Sequence, residues 1–172
     1  MIRFVLPAAL AAATAGLALP ASAHVVLDKR TAQTGSYYKA VFRVPHGCEG
    51  SPTTSIAVSM PAGITSAKPQ VKPGWKIDVA KEKLDKPIES HHGKPITHSI
   101  ASVTWSGGSL PDEYFDEFAV QLKLPDAAPG TVIYFPIVQT CQSGERRWVQ
   151  VPGPGKDHLH DPAPALTLTA KP

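Results

Sequence analysis

Tyr37-Tyr38-Lys39-Ala40-Val41-Phe42-Arg43-Val44 sets Tyr38, Ala40, Phe42 and Val44 at every second position. Side chains of an extended strand point alternately to its two faces, so these four share a face and the stretch reads as a half-buried strand. The same period recurs along the chain. Residues 55–60 group Ile56, Val58 and Met60, residues 75–79 group Trp75, Ile77 and Val79, and residues 101–105 group Val103 and Trp105. Residues 117–124 align Phe118, Val120, Leu122 and Leu124. Segments 131–140, 146–151 and 166–169 complete the set, with 24–27 as a further strand. Between them lie turn clusters at 45–47, 61–63, 72–74, 106–108, 126–130 and 142–145. About nine short strands spaced in this way predict an all-β, antiparallel sandwich. Pro136 falls inside one of the patterns and predicts an edge position or a bulge. Residues 84–95 are polar and read as a long exposed loop, and the Pro-rich run 153–164 as irregular surface chain.

Composition agrees with a packed domain. Of 172 residues, 42% are hydrophobic and 18% charged, which supports a core and argues against wholesale disorder. Pro 18 and Gly 13 interrupt long helices and exclude an all-helical bundle. The formal net charge of +3 is spread along the chain with no Lys/Arg-rich run, so nucleic-acid binding has no electrostatic support.

The N-terminus has the pattern of an export signal. Arg3 supplies a positive charge, residues 4–19 are almost wholly apolar, Pro20 breaks the run, and Ala21-Ser22-Ala23 is the small-x-small motif that precedes cleavage. Residues 1–23 are therefore read as a signal peptide and 24–172 as one domain; the alternative is an uncleaved N-terminal anchor. Cleavage after Ala23 predicts an exported, periplasmic protein whose first residue is His24, with a free α-amine.

Two features carry chemistry. Cys48 and Cys141 are the two cysteines, and an exported chain is expected to join them in a disulfide. The competing reading is a dithiol that binds Cu(I) or exchanges redox equivalents, against which the absence of Cys-x-x-Cys speaks. His24 is the sharper feature. Its α-amine and its imidazole Nδ1 can close a chelate ring on one ion, and nitrogen and oxygen donors suit Cu(II) better than softer Cu(I). Other histidines are weaker candidates. His91 and His92 face opposite ways if extended, whereas His158 and His160 share a face; His46 and His98 stand singly. Trp75 and Trp105 read as core, and the acidic cluster Asp112, Glu113, Asp116 and Glu117 around Tyr114 and Phe115 as a solvated loop.

A resemblance joins these stretches. His24-Val25, Arg43-Val44-Pro45-His46-Gly47-Cys48-Glu49-Gly50-Ser51-Pro52-Thr53, Lys72-Pro73-Gly74-Trp75 and Thr104-Trp105-Ser106-Gly107-Gly108 come first. Phe115-Asp116-Glu117-Phe118, then Phe135-Pro136-Ile137-Val138-Gln139-Thr140-Cys141 and Arg147-Trp148, follow. In this order they resemble the YcnI-like copper-binding family of exported bacterial proteins. The resemblance implies an immunoglobulin-like sandwich that binds Cu(II) through His24, Glu49 and Trp148. It also implies a copper chaperone or homeostasis protein rather than an enzyme, with copper transporters or chaperones of the membrane or periplasm as partners.

An assumed hairpin makes that ligand set compact. If residues 142–145 form the loop, Cys141 lies opposite Arg146 and Gln139 opposite Trp148. Trp148 then projects on the side of Cys141, roughly 7 Å along the strand. A Cys48–Cys141 bridge would hold Glu49 within reach of Trp148. Two rival functions remain: a copper monooxygenase, which needs a second equatorial histidine, and a metal-free immunoglobulin-like interaction module.

Overall fold

In the computed structural model, which describes residues 24–89, 93–155 and 158–172, the alternating stretch at 37–44 is a strand buried at Tyr38, Ala40, Phe42 and Val44. The expected signal at 1–23 and the pair His91-His92 lie outside the described residues. Twelve strands and no helix occur among the described residues. They are β1 (Val26–Leu27), β2 (Thr31–Gln33), β3 (Tyr37–Val44), β4 (Thr53–Ser59), β5 (Ala67–Pro69) and β6 (Lys76–Ile88). Then come β7 (Ile96–Leu110), β8 (Asp116–Lys123), β9 (Val132–Tyr134), β10 (Ile137–Cys141), β11 (Glu145–Trp148) and β12 (Ala165–Thr169).

Three sheets result. One has the order β1-β3-β8-β5, the second β11-β10-β4-β7-β6, and the third β2-β12-β9. Every pairing is antiparallel except that of β2 with β12, which runs parallel with Thr31 beside Thr167 and Gln33 beside Thr169. The core is the sum of the inward faces that the period-two patterns define. β3 and β8 pair through their whole length, with Phe42 opposite Phe118. Trp105 and Ile56, paired across β4 and β7, are fully buried, and Trp105 meets Phe118 edge-on at 5.5 Å between centroids. Burial of one such large apolar side chain stabilises the fold by about 1.5–3 kcal/mol.

The differences from the sequence reading have local causes. β2 and β5, three residues each, are too short to show a period. Pro136 does not bulge one strand but divides two: β9 joins the three-stranded sheet and β10 the five-stranded one. A residue without an N–H belongs where the ladder is interrupted, and its carbonyl still accepts from Ser59 N–H. The predicted loop at 84–95 is strand in its first part, because β6 continues to Ile88; β7 begins at Ile96, beyond it. This hairpin runs beyond the buried region, so both its faces are polar and the alternation that marks a strand is lost. The described residues of 153–164 contain no strand, as read.

Cys48 and Cys141 form a disulfide with Cα atoms 6.0 Å apart. It closes a 93-residue separation, tying the loop after β3 to the end of β10. Removing that constraint by Cys48→Ser with Cys141→Ser lowers unfolding free energy by up to about 4–5 kcal/mol on the chain-entropy relation. A urea midpoint equal to that of the wild type refutes this. Gly108 gives a second test: a Cβ there would lie 2.1 Å from Trp75 Cε2, within the indole. Gly108→Ala destabilises by about 1–3 kcal/mol through overpacking. Gly153→Ala, with open space around it, serves as the control in the same urea series.

Candidate metal centre

Ile137, Gln139 and Cys141 occupy the inward positions of β10, and Gln139 is completely buried. A buried amide must use its donors and acceptor, and here it does. Gln139 Nε2 donates to the His46 carbonyl at 2.7 Å and to Thr53 Oγ1 at 2.8 Å. Its Oε1 accepts from Trp148 Nε1 at 3.0 Å. The orientation is unambiguous, because an indole N–H only donates and a peptide carbonyl only accepts. Trp148 is thereby fixed, 4% exposed, on the face of β11 that the core covers.

His24 sits against that indole. The two ring centroids are 5.4 Å apart, edge to face. The chain is anchored at once beyond it: Val25 is buried and Val26 pairs with Arg43 of β3. His24 Nε2 lies 3.0 Å from the His160 carbonyl. A carbonyl only accepts, so Nε2 carries the proton and Nδ1 is the basic nitrogen of the neutral ring. That is the nitrogen which can share a chelate ring with the residue's own amine. Such an outer hydrogen bond fixes the tautomer of a ligating histidine.

The strap that carries His160 is held by Gln150. Its Oε1 accepts from the backbone N–H groups of His160 at 2.8 Å and Asp161 at 3.0 Å. Backbone bonds from Gln150 to Asp161 and from Ala163 to Gln150 close the attachment. Asp161 Oδ2 lies 3.1 Å from His160 Nδ1, while Oδ1 is buried without a hydrogen-bond partner. Arg146 Nη1 stands 3.9 Å from Oδ1, and Nη2 of the same guanidinium 4.0 Å from Glu49 Oε1.

Glu49 is therefore placed differently from the sequence expectation. Gly144, at φ +86°, lets the Cys141 N–H meet the Gly144 carbonyl, so the β10–β11 turn closes early. Gln139 faces Arg146 and Ile137 faces Trp148. The partner shifts by two residues, which keeps the face but moves Trp148 about 13 Å along β10 from Cys141 instead of about 7 Å. Glu49 itself heads a tight turn, with Cys48 and Ser51 exchanging both backbone bonds and φ at +53° and +84° for Glu49 and Gly50. Its side chain is 88% exposed and meets Arg146. The structure thus brings His24 to Trp148 and Glu49 to Arg146.

The remaining candidates are accounted for among the described residues. His160 offers its carbonyl to His24 and its ring to Asp161; His158 lines a shallow cavity with Val149, Gln150, Val151 and Leu159. His46 contributes its carbonyl to Gln139, and His98 contacts Thr97 on the exposed hairpin. Among the described residues no three His, Cys, Asp or Glu side chains converge as a metal-binding group. Gln139, Arg146, Gln150 and Asp161 were not anticipated. Gln139 had a signal: a polar residue at an inward position of a period-two strand.

A family model described as a domain of unknown function (DUF1775) matches residues 24–168. No curated protein matches the chain. Among solved structures, the chain is similar to an uncharacterized protein from Nocardia farcinica whose crystal structure reveals an immunoglobulin-like fold. The identity is 32%, the match covers 85% of this chain and 98% of that one, and the TM-score is 0.64. The largely antiparallel sheets and this likeness make the fold an immunoglobulin-like sandwich.

The Gln139 network gives a test of its own. Gln139→Leu strips Trp148 Nε1 and the His46 carbonyl of a buried partner, at about 1–3 kcal/mol for each group left unpaired. The expected outcome is a lower urea midpoint; an unchanged one means these groups find other partners.

Proposed function

Since the chain belongs to the DUF1775 family, a domain of unknown function, we propose its function from its own site: an exported, periplasmic protein that binds Cu(II) as cargo through His24, in the manner of the YcnI-like proteins its sequence resembles. The observation that carries the reading is the His24 ring packed on Trp148 with Nε2 turned to the His160 carbonyl. After cleavage at Ala23, the amine and Nδ1 supply two nitrogen donors from one residue. The donor chemistry fits the ion: nitrogen and carboxylate oxygen suit Cu(II), and the orphaned Asp161 Oδ1 shows a carboxylate in this region lacking a closed hydrogen bond. The indole shields the ion on one side. With so few ligands, the site suits a carrier that hands its metal to a transporter or chaperone rather than an enzyme.

The monooxygenase alternative asks for a second imidazole beside His24. His160, which touches His24, presents its backbone carbonyl and turns its ring to Asp161. That observation favours the carrier. A metal-free interaction module is the outcome if mature protein takes up no Cu(II).

The test compares protein beginning at His24 with a form extended by one methionine. Blocking the amine weakens Cu(II) binding by at least tenfold in competitive titration; equal affinity removes the amine from the site. Both nitrogens must lose their protons before they bind, so affinity falls as the solution is acidified. Cu(II) quenches Trp148 fluorescence, and Trp148→Phe abolishes most of the quenching while Trp75→Phe does not. Quenching carried by Trp75 or Trp105 instead overturns the placement of the ion.

A further inference from the structure

We propose that the outward face of the β1-β3-β8-β5 sheet is where two copies of this chain meet, about a two-fold axis that lays the acidic, aromatic end of one face over the lysine-bearing end of the other. The proposal is independent of the copper reading.

The strand register lays out that face in rows. The inward positions of β3 and β8 form the core, so the alternate residues point to solvent. The central row pairs Val41 with Ala119. One row towards the loop 111–115, Arg43 and Glu117 stand directly opposite each other. One row the other way are Lys39 and Gln121, with Lys68 of β5 beside Gln121. The next row pairs Tyr37, 71% exposed, with Lys123.

The two ends differ in charge. Beyond Glu117 the loop presents Tyr114 and Phe115, 60% and 66% exposed, among Asp112, Glu113 and Asp116. Lys72 meets Asp116 at 2.7 Å, and Val71 next to it is 82% exposed. Three large apolar side chains thus stand exposed around one ion pair, with carboxylates in surplus. Clustered exposed apolar side chains with a charged rim, aromatic ones above all, are the usual make-up of a protein contact. The other end is basic. Lys39 and Lys68 are exposed, and among the described residues neither forms a salt bridge, nor does Glu113 at the acidic end.

The placing of the ends is symmetric. Phe115 precedes Ala119 by four residues and Lys123 follows it by four, about 13 Å each way at the rise of an extended strand. A two-fold axis in the plane of the interface, crossing the strands at the Val41–Ala119 row, therefore brings Tyr37 and Lys123 of one copy over the 113–115 loop of the second. The same axis sets Lys39 over the row of Glu117 and the uncharged central row over itself. One self-complementary patch then serves both copies, as closed two-fold pairing requires. An anionic surface would attract the lysines but repel the acidic end, whereas a second copy satisfies both.

The experiment is sedimentation velocity of protein beginning at His24. The expected result is a concentration-dependent monomer–dimer equilibrium that moves towards monomer as salt is raised. Lys39→Glu with Lys68→Glu leaves both ends acidic, and Glu113→Lys with Glu117→Lys leaves both basic; each weakens self-association at least tenfold. An equimolar mixture of these two variants forms dimer again, and so does a chain carrying all four changes, recoveries that loss of folding cannot produce. Tyr114→Ser with Phe115→Ser weakens the dimer at unchanged charge, and Lys86→Glu, on the exposed part of β6, leaves it as in the wild type. A wild type that is monomeric at every concentration overturns the proposal, as does a mixture of the two charge variants that stays monomeric. Sedimentation of a monomeric wild type with phosphatidylglycerol vesicles, lost in Lys39→Glu with Lys68→Glu, overturns it in favour of a membrane surface.

Discussion

One buried side-chain amide governs the geometry at the end of the sandwich where the candidate centre lies. Gln139 ties together three pieces of chain distant in sequence: the His46 carbonyl after β3, the Thr53 hydroxyl at the start of β4, and the Trp148 indole at the end of β11. The disulfide from Cys48 lands two residues further along the same strand. Covalent and hydrogen-bonded ties thus act on one loop from adjacent inward positions of β10. The indole they fix is the surface on which His24 rests. An aromatic wall that could tilt would not hold an imidazole in one orientation, and here its only polar atom is committed to a partner that is itself fully committed.

Much of the fold was legible because burial on one face leaves a period of two in the sequence. Tyr38 to Val44 and Phe118 to Leu122 show it without interruption, and they became the paired inner strands. Where that cause is absent, so is the signal. The outer part of the β6–β7 hairpin has no sheet facing it, and β6 there carries Lys81, Glu82 and Lys83 in a row, with Asp85 after Leu84. β2 and β5 are held by neighbours rather than by any pattern of their own.

The site was legible in part, and the boundary is physical. The resemblance sets His24 and Trp148 around one ion, and in the fold their rings are in contact. The position of Glu49 depended on a hairpin register, which a single glycine in the left-handed region decided. Asp161 lay in a Pro-rich segment with no periodicity. Its placement comes from side-chain to backbone bonds of Gln150, a kind of contact that leaves no trace in spacing. Sequence patterns report what a strand buries; they are silent on what an irregular strap hangs from.

The parallel pairing of β2 with β12 has a consequence for the order in which the molecule comes together. Thr31 meets Thr167, so the third sheet cannot form until nearly the whole chain is present. The surroundings of His24 obey the same rule, since Trp148 and His160 are both supplied by the last quarter of the sequence. Closing such long loops is slow, and contacts of high sequence separation form late in folding. A growing or threaded chain therefore exposes its first residues long before their pocket exists, and the imidazole acquires a fixed orientation only as the final strand docks. The contacts that orient the His24 ring are thus among those of the greatest sequence separation in the fold.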